Sequence, residues 1–70
     1  MSKLLTIRTS KGMAQAKLAE LSGINARQIR KIETGEIKTK NITIGTITAL
    51  AHALGVEIEE LIKENEHEKL

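Results

Sequence analysis

The stretch QAKLAELSGINARQIRKIETG, residues 15–35, decides the fold because it holds two short helices joined by a tight turn. We expect the first helix to run from Gln15 to about Ser22, with Gly23 ending it in the left-handed conformation that glycine adopts easily. We expect the second helix over residues 26–34. Two helices this short and this close cannot bury much surface as an antiparallel pair, so they are expected to cross steeply.

The start of the second helix is strongly marked. Asn25 is a favoured N-cap residue, and Gln28 three residues later completes a capping box. Ile24 before the cap and Ile29 at the fourth helical position form a hydrophobic staple. These signals predict a fixed angle between the turn and the second helix.

The second helix has two chemically different sides, since successive residues are about 100° apart around a helix. The side expected to face the core carries Ile29, Ile32 and Glu33. The opposite side carries Arg27, Lys31 and Thr34, with Arg30 flanking them. A helix with basic residues along one side and isoleucines along the other is expected to present the basic side to a partner or to solvent.

The rest of the chain predicts three further helices, so the expected class is all-α, a compact bundle of five short helices. Numbered along the whole chain, the first of the five helices spans residues 3–11 and ends at Gly12. The two helices described above are then the second and the third. The fourth begins at a Thr43 cap, ends at Gly55, and repeats apolar residues at helical spacing: Ile44, Ile47, Leu50, Ala51 and Leu54. The last runs from residue 58 to about 64, with Ile58, Leu61 and Ile62 facing inward. We expect one domain over residues 1–64 and a frayed tail over 65–70.

Composition excludes several classes of protein. The chain has no Cys, Phe, Tyr or Trp, so disulfides, thiolate metal sites and base stacking on aromatic rings are not expected. No apolar run has the length of a membrane span or of a signal peptide. His52 has no second ligand at helical spacing, His67 is expected to be solvated in the tail, and no nucleophile-and-base arrangement or phosphate loop is present. We therefore expect no metal, no cofactor and no enzyme activity.

The charge is unevenly distributed along the sequence. Residues 1–40 carry nine Lys and Arg against three Glu, a formal charge of +6. Residues 41–70 carry two Lys against six Glu, a formal charge of −4. Such a distribution is compatible with a polyanion bound to one face, and equally with a solvated mixed surface.

In order and spacing, several motifs resemble the helix-turn-helix domain of phage repressors and Cro proteins, the Xre-like family. The resemblance covers residues 3–63. Its carriers are Ile7-Arg8 with Gly12, the run MAQAKLA at residues 13–19, GIN at 23–25, QIxxIExG at 28–35 and LAxALGV at 50–56. Two features depart from the family pattern: Ala14 replaces a polar cap, and the segment between Gly35 and Leu50 is longer than in short phage repressors.

The resemblance implies double-stranded DNA as the partner, with the third helix of the chain, residues 26–34, in the major groove. Base-reading positions match Ala26, Arg27 and Lys31. Phosphate-binding positions match Gln15, Asn25, Gln28, Arg30, Lys38 and Lys40. Arg and Lys side chains would donate to guanine O6 and N7, and Ala26 would touch a thymine methyl group. The alternative for Arg27 and Lys31 is a solvated helix face.

The resemblance also matches Arg8 and Glu33 to a buried structural ion pair. That pairing accounts for a glutamate that lies between isoleucines on the core side of the third helix. The alternative is a pair of unrelated surface charges.

Two function classes remain at this point. The first is a cytoplasmic transcriptional regulator of bacterial or phage origin, expected to be a repressor, that binds a two-fold operator as a homodimer. Ile44, Val56 and Ile58 are candidates for the dimer interface. The second is an antitoxin that binds a toxin protein and represses its own promoter.

Overall fold

Glycines and polar caps set the ends of the helices. The structure, a computed structural model, describes residues 2–62. Within that range there are helices and no strands, so the all-α prediction is confirmed. The helices are α1 (Lys3–Ser10), α2 (Gln15–Ser22), α3 (Ala26–Thr34), α4 (Ile44–Leu54) and α5 (Ile58–Ile62), with one turn of 3-10 helix at Thr39–Asn41.

The turn between α2 and α3 is built as the sequence indicates. Gly23 has φ 76°, and its N–H donates to the carbonyl of Ala19 at 2.9 Å. Asn25 caps α3, because its Oδ1 accepts a hydrogen bond from the N–H of Arg27 at 2.7 Å. Among the described residues, the Gln28 side chain makes no return bond to Asn25, so the predicted capping box forms only in its first half.

The other helix starts also follow their caps. Ser2 caps α1 through a hydrogen bond from the N–H of Leu5 at 3.2 Å. Thr43 caps α4 through a hydrogen bond from the N–H of Thr46 at 3.2 Å, which confirms the predicted start. Ala14, at the cap position of α2, has no side-chain oxygen and makes no side-chain cap hydrogen bond.

An aliphatic core holds the helices together. Helix α2 packs against α3 and α4, α4 packs against α5, and α1 packs against α3 and α5. The buried apolar side chains are Leu4, Leu18, Ile29, Ile32, Ile47, Leu50, Ala51, Leu54 and Leu61. Since α3 buries only its inner side against α1 and α2, its outer side is left open.

The C-terminal half differs from the prediction in three places. Ile62 was expected to face inward, but it is 43% exposed, because the last described turn of α5 buries only Leu61. The segment 36–42, expected to be a loop, contains the 3-10 turn. Val56 and Ile58 pack against the core, which leaves less apolar surface there than expected. The predicted end of α5 and the tail 65–70 lie outside the described residues.

Candidate nucleic-acid interface

The outer face of α3, defined here as Arg27, Arg30, Lys31 and Thr34, is open to solvent. Lys31 is partly exposed and the other three side chains are exposed. Arg27 and Lys31 lie where two shallow surface depressions meet, one toward the start of α3 and one toward its end. The basic residues that the helical pattern assigned to one side therefore do lie together, and Ala26 is exposed beside them.

The charges on this face differ in whether they are paired. Among the described residues, neither Arg27 nor Arg30 forms an ion pair. Lys31 does: its Nζ lies 3.8 Å from Oε2 of Glu36. Two guanidinium groups, each with five N–H donors, are thus free to donate to an external acceptor.

The inner side of α3 carries the opposite arrangement, a buried and fully paired charge. The guanidinium of Arg8 donates from Nε to Oε2 of Glu33 at 2.6 Å and from Nη2 to Oε1 at 3.0 Å. Only 11% of the Arg8 side chain and 3% of the Glu33 side chain are exposed. The hydrogen bond with Glu33 raises the pKa of Arg8 above its ordinary value. The pair joins α1 to α3.

Two further hydrogen bonds complete this inner cluster, which consists of Arg8, Met13, Gln15 and Glu33. Arg8 Nη1 donates to the carbonyl of Met13 at 2.6 Å. The side-chain amide of Gln15 donates from Nε2 to Oε1 of Glu33 at 2.8 Å. The cluster therefore ties the first residue of α2 to α1 and α3, and fixes how α3 is presented.

The Gln15 bond was missed by sequence reasoning, which assigned this residue to phosphate. One of its two amide N–H groups is used by Glu33, and the other remains for an external acceptor. A signal was available: a buried carboxylate has more lone pairs than one arginine satisfies, so a further donor was to be expected. The phosphate role of Gln15 stays a prediction.

The remaining residues predicted to bind phosphate lie around the outer face rather than on it. Lys38 and Lys40 are exposed in the segment between α3 and α4, the second of them within the 3-10 turn. Asn25 is exposed at the start of α3 and Gln28 is half-buried. Asn25 and Gln28 line the same depression as Arg27 and Lys31. The phosphate roles of Asn25, Gln28, Lys38 and Lys40 stay predictions.

The described residues contain no group of three or more His, Cys, Asp or Glu side chains placed to hold a metal ion. They also contain no helix long and apolar enough to cross a membrane. Every buried side-chain nitrogen or oxygen within them has a hydrogen-bond partner.

Comparison with known proteins identifies the family. Residues 4–61 match the family described as Helix-turn-helix. The chain belongs to the Xre/Cro-type helix-turn-helix family. The resemblance inferred from the sequence motifs is thus confirmed. The prediction that the chain is a DNA-binding transcription regulator of this type is confirmed with it.

One solved structure shows how closely the chain follows this family. It is the crystal structure of the restriction-modification controller protein C.AhdI from Aeromonas hydrophila. The two chains are 37% identical with a TM-score of 0.76, over 84% of this chain and 85% of that one. No curated protein matches the sequence. Since the match covers most of both chains, the family fold extends over nearly all described residues.

Proposed function

We propose that this protein is a sequence-specific regulator of transcription, a repressor that acts in the cytoplasm and has no catalytic activity. It binds double-stranded DNA as a homodimer, with α3 in the major groove. The observation that carries this proposal is the outer face of α3, where two unpaired arginines are exposed on a helix whose inner side is fixed by a buried ion pair. Family members place this helix in the major groove.

Within this proposal, the residues near the start and middle of α3 read base edges. Arg27 donates two parallel hydrogen bonds to O6 and N7 of a guanine, the most common specific contact in the major groove. Lys31 donates to a second guanine, and Ala26 contacts a thymine methyl group. Each role uses a side chain that the structure leaves accessible.

Phosphate contacts position α3 in the groove. Arg30, Lys38 and Lys40 supply charge, and Asn25 and Gln28 supply neutral donors beside the start of α3. At the start of α2, Gln15 adds its second amide N–H to the backbone N–H groups of the first turn, which attract anions. Such contacts hold the protein in register and carry no sequence information directly.

The homodimer is supported by the size of one domain, which makes few base contacts, and by two-fold operators in this family. The exposed apolar side chains in the described residues include Ile44, 74% exposed, and Ile62, 43% exposed. Of the three interface candidates from the sequence, Ile44 keeps this role, while Val56 and Ile58 contribute only at the edge. Light scattering that shows a monomer at high micromolar concentration, with and without DNA, would contradict the dimer.

The antitoxin alternative has no observation in its favour among the described residues, and we do not propose it. The similarity to a restriction-modification controller instead directs the first search for operators to DNA upstream of restriction-modification genes.

The test is selection of bound sequences from a random duplex pool, followed by a salt titration of the selected site. We expect a two-fold consensus with guanines in each half, and a logarithm of affinity that falls by about 0.9 per neutralised phosphate for each logarithmic unit of salt. Recovery of no preferred duplex over random DNA would contradict the proposal.

A further inference from the structure

Glu36 is the one acid that lines the outer face of α3 within the described residues, where it lies beside Arg27, Arg30, Lys31 and Thr34. We propose that Glu36 is a specificity-determining residue, which pairs with Lys31 so that Lys31 donates to a neutral base edge rather than to a phosphate. The inference rests on the proposed function and adds to it the residue that separates specific from non-specific contact.

The position of Glu36 is built into the end of α3. Gly35 has φ 88° and ends the helix, with its N–H bonded to the carbonyl of Ile32 at 3.2 Å. The N–H of Ile37 then returns to the carbonyl of Lys31 at 3.1 Å. These two hydrogen bonds enclose Glu36 and hold its backbone beside Lys31, so the ion pair at 3.8 Å is a product of the helix cap.

A phosphate at Lys31 meets repulsion from Glu36. A charge-assisted hydrogen bond places the phosphate oxygen about 2.8 Å from Nζ, and the Glu36 carboxylate lies 3.8 Å from the same atom. The two anions are then no more than about 7 Å apart, which is inside the Debye length of about 8–10 Å at physiological salt. Salt therefore screens this repulsion only in part.

A guanine at Lys31 meets no such repulsion. O6 and N7 are hydrogen-bond acceptors on a base without net charge. Lys31 has three N–H donors, so it can serve both acceptors while its ammonium stays next to Glu36. Because the closed interface has a lower dielectric than water, the attraction between Lys31 and Glu36 strengthens there.

The other basic side chains proposed to contact DNA lack this partner. Arg27, Arg30, Lys38 and Lys40 form no ion pair within the described part of the chain. The second exposed Lys–Glu pair, Lys17 with Glu20 at 3.6 Å, lies within one turn of α2, and neither residue lines the two depressions along the outer face of α3. Removal of the Glu20 charge is therefore a matched control for removal of the Glu36 charge.

The experiment compares wild type, Glu36→Gln and Glu20→Gln in binding to the selected duplex and to a scrambled duplex across a salt series. We expect Glu36→Gln to raise scrambled-duplex affinity more than selected-duplex affinity, so that the ratio of the two falls by about two- to fivefold, the range that one exposed ion pair supplies. The salt slope on scrambled DNA should steepen by about 0.9, for one more phosphate neutralised. Glu20→Gln should shift both affinities by one common factor.

Two results overturn the inference while the proposed function stands. One is an equal rise of both affinities in Glu36→Gln, which makes Glu36 a simple repulsive charge. The other is an affinity ratio and a salt slope in Glu36→Gln that equal those of the wild type, when the wild type does prefer the selected duplex. If wild type itself has no preferred duplex, both the inference and the proposed function fail.

Discussion

The two sides of α3 treat charge in opposite ways. On the inner side, Glu33 is buried and accepts hydrogen bonds from Arg8 and Gln15. On the outer side, Arg27 and Arg30 are exposed and no ion pair forms to either within the described residues. One helix of nine residues therefore carries a carboxylate whose hydrogen bonds are all made within the protein and two guanidinium groups whose N–H donors are available to a partner.

The difference shows how a small domain separates stability from recognition. A buried charge must be paired, because an unpaired one costs several kcal/mol. An exposed arginine costs little to leave unpaired, since water solvates it. Substitutions on the inner side should therefore act on folding, and substitutions on the outer side should act on binding.

The largest expected effect is on the inner side. Glu33→Ala leaves Arg8 buried without its partner, so we expect the free energy of unfolding to fall by about 3–5 kcal/mol. Urea denaturation followed by circular dichroism measures this loss. Arg8→Met combined with Glu33→Leu should recover most of it, because no charge is left buried. A loss in Glu33→Ala below about 1 kcal/mol would show that the pair is not a stabilising contact of the core.

The next largest effect is on the outer side. Arg27→Ala should cost about 1–3 kcal/mol of binding to the selected duplex and relax one base position. Its unfolding free energy should change by less than about 0.5 kcal/mol, as for surface sites in general. Fluorescence anisotropy and urea denaturation on the same sample measure both. Lost stability with unchanged base preference would reverse the assignment of the two sides.

Gln15 is half-buried in the inner cluster and keeps a second amide N–H for an external acceptor, so it is expected to show both effects. Gln15→Ala removes the hydrogen bond to Glu33, at a cost of about 1 kcal/mol in unfolding free energy. We also expect it to remove the proposed phosphate contact, so binding should weaken by the same factor on every duplex. Replacement of single phosphates by methylphosphonates locates that contact: one position should weaken wild type and leave Gln15→Ala unaffected. If no position behaves in this way, Gln15 is purely structural.

The smallest effect is expected between α3 and α4. Lys38→Ala should weaken selected and scrambled duplexes alike by less than about 1 kcal/mol, and should reduce the salt slope by about 0.9. Salt titration of both duplexes measures it, with Lys17→Ala on α2 as a control of equal charge. A change in base preference would place Lys38 among the base-reading residues.

Much of the fold could be predicted because local signals set the ends of the helices. The bounds of α2, α3 and α4 follow from Asn25, Thr43 and three glycines that end these helices. Helix α1 ends one residue earlier than predicted, at Ser10, since Lys11 rather than Gly12 is its C-cap. Where signals were weak, as in the 3-10 turn and at Ile62, the prediction was wrong, because packing rather than local sequence decides these features.

The candidate site was predictable in part for the same reason. Helical periodicity alone separates Arg27 and Lys31 from Ile29 and Glu33. Two contacts were not found in this way. The bond from Gln15 to Glu33 joins residues from different helices, and the pair of Lys31 with Glu36 crosses the end of α3 at a spacing outside the usual i, i+3 and i, i+4 pairs. Tertiary geometry, not sequence pattern, produces both.

The central claim, that the outer face of α3 reads guanines in the major groove, is tested most directly by methylation interference on the selected duplex. Dimethyl sulfate methylates guanine at N7 in the major groove and adenine at N3 in the minor groove. We expect guanine methylation in each half-site to block wild-type binding, and one of these guanines to lose its effect in Arg27→Ala. Interference confined to adenine N3, or a guanine pattern unchanged in Arg27→Ala, would contradict the claim.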